Sequence, residues 1–150
     1  MEGLERFLRE HSFFAGMAPD YIDILTGCAK NVRFEEGDYL FHEGDIADQL
    51  YLVRAGRVGL EINKPGASVT IQTVGESDIV GASWLVPPYR RGLSARALER
   101  TRAIALDAAC LRGKCEDNHD LGYEMMKRFM PVLIQRLQAA QMQILDVYGE

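Results

Sequence analysis

Residues Phe34 to Ile62 read FEEGDYLFHEGDIADQLYLVRAGRVGLEI, and this stretch decides the fold. Turn chemistry recurs in it at short intervals: Glu36-Gly37-Asp38, His42-Glu43-Gly44-Asp45 and Ala55-Gly56. At Gly37, Gly44 and Gly56 the chain must reverse with no room for a side chain, with Tyr51, Leu52 and Val58 packing between the turns. In Arg57-Val58-Gly59-Leu60-Glu61-Ile62 the apolar residues Val58, Leu60 and Ile62 share one face, the two-residue period of a strand. The same punctuation continues through Asn63-Lys64-Pro65-Gly66 and Gly75. It predicts short antiparallel strands over residues 31–106 with a core that includes Val32, Phe34, Leu52, Val58, Leu60, Ile71 and Ile104.

Outside this section the period changes. Leu4, Phe7 and Leu8, then Ile22, Leu25 and Ala29 after a break at Gly16 to Pro19, predict two short helices. Asp107 is placed to cap a helix beginning at Ala108, and a longer helical pattern runs from about Asp120 to Tyr148. The expected fold is therefore mainly β with flanking helices: a double-stranded β-helix, or jelly-roll β-roll, with a long C-terminal helix. One domain is expected over residues 1–150, with N-terminal helices at 1–30, the β-roll at 31–106 and C-terminal helices at 107–150.

A chain of 150 residues with 47% hydrophobic content can bury a core without metal or disulfide staples. Its net charge of -5 and lack of a basic run argue against direct nucleic-acid binding, which needs clustered Lys and Arg. The opening MEGLERFLRE has no signal-peptide core, and no stretch approaches the roughly 20 apolar residues of a membrane span. A cytoplasmic protein without membrane contact is expected. Cys28, Cys110 and Cys115 are odd in number and lack C-x-x-C spacing, which predicts buried free thiols. His11, His42 and His119 are isolated, so neither a metal site nor a metal-dependent enzyme on a similar barrel is signalled. Glu35, Glu36, Glu43 and Asp45 fall in turns, where solvated carboxylates are ordinary. No catalytic residue is assigned.

The Phe34–Ile62 stretch resembles the first half of the cyclic-nucleotide-binding domain shared by catabolite activator proteins and cAMP-dependent kinase regulatory subunits. Taken with the flanking segments, the likeness spans roughly Phe13 to Leu145, and the chain is similar to small stand-alone Crp/Fnr-type bacterial proteins. The resemblance implies a phosphate-binding cassette in which a Gly-Glu pair opens a short turn and an arginine about ten residues later meets the cyclic phosphate. The matching segment is Gly81 to Ala97, GASWLVPPYRRGLSARA. Ala97, Thr101 and Leu106 set the register and place Arg91 at the phosphate arginine, with Arg90 the alternative. Gly81, Ala82, Ser83, Arg90, Arg91 and Gly92 are thus the candidate ligand-binding residues.

The departure from the family is at Ala82, where the resemblance implies a glutamate that accepts the ribose 2′-hydroxyl. Trp84 is expected to pack in the core, and Pro87-Pro88 to stiffen the loop. No cofactor is assigned; a weakly bound cyclic nucleotide or another anion is the expected ligand. Related proteins pair two subunits through the last helix. Met126, Met130, Leu133, Leu137, Ala140, Ile144 and Val147 recur at coiled-coil spacing, giving Leu133, Leu137, Ala140 and Ile144 as candidate dimer contacts. Pro131 is expected to kink this helix near Lys127 and divide the seam, its first part facing the roll. Only Gly149-Glu150 follow, so no helix-turn-helix is expected on this chain. The implied function is a non-enzymatic regulatory or ligand-sensing domain with a degenerate pocket, acting through homodimerisation and a protein partner. The alternative is a true cAMP or cGMP sensor whose DNA-binding part lies on another chain.

Overall fold

A computed structural model describes residues 2–148. Helices α1 (Glu2–Glu10) and α2 (Pro19–Thr26) flank a short 3-10 turn and precede strands β1 (Ala29–Phe34), β2 (Tyr39–Phe41), β3 (Gln49–Ala55) and β4 (Arg57–Lys64). Strands β5 (Ala67–Gly75), β6 (Ile79–Val80), β7 (Ser94–Ala97) and β8 (Thr101–Asp107) come next, then helices α3 (Ala108–Asp117) and α4 (His119–Tyr148). The strands form two antiparallel sheets, ordered β1-β8-β3-β6 and β2-β7-β4-β5. This is the jelly-roll β-roll with a long C-terminal helix that the turn spacing predicts.

Three turns share one device. The backbone N–H of Glu35, His42 and Gly75 each donates to the carboxylate three residues on, Asp38 at 2.8 Å, Asp45 at 2.9 Å and Asp78 at 2.8 Å. The third residue of each turn has positive φ: Gly37 at 91°, Gly44 at 90° and Ser77 at 73°. These aspartates are thus turn-formers; of the four acidic residues read as turn chemistry, Asp45 closes its turn in this way, whereas Glu35 pairs with Arg33 and Arg100. Gly75-Glu76-Ser77-Asp78 is a third copy in which serine bears the strain that glycine avoids elsewhere.

The two-residue strand period sorts side chains into two cores. Along β3, Leu50 and Leu52 face the helices, while Tyr51 and Val53 face the second sheet. On β8, Ile104 and Leu106 join the first group and Ala103 and Ala105 the second. This sheet is covered on both faces, which is why Leu50–Val53 and Ala103–Leu106 are unbroken apolar runs. Of the predicted core residues, Leu52, Val58, Leu60 and Ile104 are buried, while Val32, Phe34 and Ile71 are half-buried at its margin.

Helix α2 ends at Gly27, so Ala29, read as part of the helical stripe, opens β1 instead. Asp107 caps α3, its carboxylate accepting from the Cys110 N–H at 2.8 Å. Helix α4 runs through Pro131 as one element. Its buried line is Leu121, Met125 and Phe129; of the predicted seam, Met126 packs half-buried against the same core and Met130 is exposed. Arg128 anchors this half by donating to the carbonyls of Phe13 and Ala15, each at 2.9 Å.

The prediction of three free thiols is wrong for two of them. Cys28 and Cys110 form a disulfide across 82 residues, with Cα atoms 5.7 Å apart; only Cys115 is free. Spacing along the chain carries no trace of this pair, because it is made by the β1–β8 ladder. That ladder pairs Ala29 with Leu106 and so brings the two flanking segments side by side.

Candidate ligand pocket

The segment between β6 and β7 builds one wall of a cavity of about 410 Å³. Gly81 adopts a left-handed conformation, φ 103°, and redirects the chain into a 3-10 turn over Ala82–Trp84. Trp84 is buried at 5.5 Å from Phe129, as predicted for a packing residue, and anchors the loop to the helical core. Arg112 of α3 reinforces the anchor, donating to the Trp84 carbonyl and lying 4.2 Å over the Tyr89 ring.

Beyond the loop the chain is extended, and Arg90 and Arg91 consequently point to opposite sides. The Arg91 N–H donates to Asp45 O, and its carbonyl accepts from Gly44 N–H, both at 2.8 Å. These bonds clamp the segment to the β2–β3 connection. Arg91 is 3% exposed and lines the cavity together with Gly81, Ala82, Ser83 and Gly92. Arg90 is exposed, donates to Gly44 O at 3.4 Å, and lies in a separate depression with Asp45 and Asp48.

Arg91 is poorly satisfied for a buried cation. One terminal nitrogen donates to Gln49 O and the guanidinium lies 3.9 Å over the Phe41 ring, yet Nε and Nη1 have no hydrogen-bond partner. Burial pushes the guanidinium below its ordinary pKa, and the nearby Tyr51, Asp48 and Asp45 oppose this. Unmet donors on a buried charge are costly unless an acceptor is supplied. Gly81 is what allows the approach, since a Cβ there would lie 2.5 Å from Nη1.

The rest of the cavity is largely apolar: Phe41, Leu60, Ile71 and Leu93 from the roll, and Leu133, Leu137 and Ala140 from α4. Gln72, Ser83 and Arg136 add polar groups, and no carboxylate is among the lining residues. Arg136 donates to Ile79 O, while Gln72 donates to Arg136 O at 3.1 Å, so α4 is hydrogen-bonded across the mouth. Three of the four candidate dimer residues therefore line the pocket; Ile144 does not. The contribution of α4 to the pocket was not read from its sequence, where one apolar stripe serves a roof and a seam equally well. Among the described residues, no group of three or more His, Cys, Asp and Glu converges to hold a metal, and no helix is long and apolar enough to cross a membrane.

Comparison with known proteins places this architecture. The cyclic nucleotide-binding domain family model matches residues 31–118, and the chain belongs to that family. A CRP-like cAMP-activated global transcriptional regulator of Mycobacterium tuberculosis is 27% identical over 145 residues, covering 96% of this chain and 63% of the regulator. A cyclic AMP receptor protein of Thermus thermophilus is 31% identical over 94 residues, 62% of this chain and 44% of the receptor. The chain thus spans about half to two-thirds of these curated relatives. Among solved structures, a protein of Geobacter metallireducens described as cyclic nucleotide-binding superposes with a TM-score of 0.80 at 31% identity, covering 91% of this chain and 99% of that one. The Thermus thermophilus catabolite activator protein superposes with a TM-score of 0.70 at 25% identity, over 91% of this chain and 62% of that one.

Proposed function

We propose that this chain is a non-enzymatic, cytoplasmic ligand-sensing module whose pocket seats an anion on Arg91 and binds cyclic nucleotides weakly. The observation that carries this reading is the buried Arg91 guanidinium with two unmet donors on the cavity wall. Ala82 supplies no acceptor for a ribose hydroxyl. Losing a charge-assisted hydrogen bond of about 1.5–3 kcal/mol weakens binding roughly ten- to two-hundred-fold. Calorimetric titration with cAMP and cGMP tests this: weak or flat traces are expected, tightened by Ala82→Glu and abolished by Arg91→Ala. Sub-micromolar cAMP binding by the unmodified protein would refute it.

The second half of α4 supports a further role as a homodimer seam. Leu133, Ile134, Leu137, Ile144 and Leu145 are all exposed, Leu137 at 59%. An apolar run of this size on one helix favours burial against a second copy. Light scattering should report a dimer that Leu137→Asp or Ile144→Asp dissociates. A monomer at micromolar concentration, unchanged by either substitution, would remove the seam. The module would then signal to a partner protein through the surfaces the dimer leaves open.

A further inference from the structure

We infer that Cys28 and Cys110 form a site of reversible thiol–disulfide exchange with low-molecular-weight thiols of the glutathione class, acting as a covalent clamp on α3. Cys28 directly precedes β1, and Cys110 lies in the first turn of α3. Their juxtaposition does not depend on the sulfur bond. The Asp107 N–H donates to Cys28 O at 2.9 Å, the Cys28 N–H donates to Leu25 O at 2.9 Å, and the β1–β8 ladder continues from Ala29–Leu106. Both side chains pack against the helix-side core, where a reduced thiol behaves as a small apolar group. The backbone therefore keeps the two sulfurs adjacent in either state, so the bond can open without the fold and close without a search.

The two residues differ in exposure. Cys28 is 7% exposed, whereas Cys110 is half-buried. An external thiolate reaches Cys110 Sγ, forming a mixed disulfide and expelling the Cys28 thiolate, which takes up a proton. A second external thiolate then attacks the outer sulfur of the mixed disulfide. It releases one small-molecule disulfide and the Cys110 thiolate, which takes up a proton, so two small thiols are oxidised as the protein gains two. Oxidation is the reverse and consumes one small disulfide. Cys115 is a built-in control: it is half-buried, and burial with Glu116 nearby holds its thiol above the ordinary pKa, which disfavours the reactive thiolate.

The next turn of α3 shows which contacts the clamp restrains. Two residues past Cys110, Arg112 holds the Trp84 carbonyl and the Tyr89 ring, the loop that leads to Arg91. The disulfide fixes α3 to β1 at the helix that anchors this loop. In a reducing compartment, disulfides of this kind are typically transient and redox-sensing.

The test equilibrates the native full chain in glutathione buffers of graded reduced-to-oxidised ratio, quenches in acid, then unfolds and alkylates with iodoacetamide for intact mass. Three adducts are expected at the reducing end and one, mapped to Cys115, at the oxidising end, with circular dichroism unchanged between them. Cys110→Ser should show two adducts at every ratio. Three adducts at every ratio, one adduct at every ratio, or loss of β signal on reduction would each overturn the exchange site. Backbone amide exchange in α3 and Trp84–Tyr89 should be faster in the reduced form; equal rates would overturn the clamp.

Discussion

Replacing Gly81 by alanine separates backbone strain from crowding at the pocket, because other glycines provide the references. Gly44 has φ 90° and open space where a Cβ would go, so Gly44→Ala carries strain alone, about 1–2 kcal/mol. Gly81 has φ 103°, and its Cβ would lie 2.5 Å from Arg91 Nη1 and 3.2 Å from Gln49 O. Arg91 can relieve that contact only by leaving Phe41 and its bond to Gln49 O, forfeiting a charged hydrogen bond of about 1.5–3 kcal/mol. Gly81→Ala should therefore cost about 3–4 kcal/mol, roughly 2 more than Gly44→Ala. Gly56→Ala should exceed both, since at φ 107° its Cβ would meet Arg100 O at 2.6 Å and Thr101 Cα at 2.7 Å, neither of which is free to swing away. Equilibrium urea unfolding of the three variants reads the ladder. Equal midpoints for Gly81→Ala and Gly44→Ala would show that Arg91 is not held against Gly81, and the account of its unmet donors would fall with it.

Other substitutions probe the scaffold. Glu61 is buried at 1% exposure and paired at 2.7 Å with Arg96, whose side chain is 39% exposed, so Arg96→Met should destabilise by about 1–2 kcal/mol, and Glu61→Leu added to it should recover much of the loss in a double-mutant cycle. Ser77→Gly should stabilise by about 0.5–1 kcal/mol by removing an L-residue from φ 73°; an unchanged urea midpoint would contradict the strained turn. His11 is buried, with Nε2 at 3.0 Å from Val53 O and Nδ1 accepting from Phe13 N–H; burial lowers its pKa against backbone and Asp78 interactions that raise it. The unfolded chain thus binds this proton more readily, so stability should fall as pH drops below the ordinary histidine range. His11→Gln should flatten that slope between pH 7 and 5. Asp107→Ala should cost about 1 kcal/mol by uncapping α3, read as a lower thermal midpoint.

Most of the roll was legible because its determinants are local. Glycines at forced left-handed positions report turns, and two-residue alternation such as that of Val58, Leu60 and Ile62 reports a strand, without any tertiary knowledge; the unbroken runs of β3 and β8 carry no such period. The pocket was legible only along the chain. Residues 81–92 could be placed by resemblance, and the alternation of Arg90 and Arg91 then follows once the segment is known to be extended. What sequence could not supply were contacts between distant segments: Leu133, Arg136 and Leu137 over the cavity, Arg112 on the Trp84 carbonyl, and Cys28 beside Cys110. The Leu121–Met125–Phe129 line was missed for a related reason. A four-residue step and a three-four heptad both fit this helix, and only the position of the roll decides between them.

The bonds from α4 to the sheets bear on how the molecule stays apart from its neighbours. Strands β5 and β6 each form one edge of their sheet, and Ile71 is the residue that the β4–β5 ladder skips between Leu60–Gln72 and Glu61–Thr70. Gln143 donates to Ile71 O, and Arg136 to Ile79 O. The helix thereby occupies main-chain acceptors that a foreign strand would otherwise use, guarding two borders against edge-to-edge association. A chain whose last helix is unseated, by Arg136→Ala with Gln143→Ala, should remain folded in its β-roll yet become prone to self-association through strand pairing, at concentrations the intact protein tolerates.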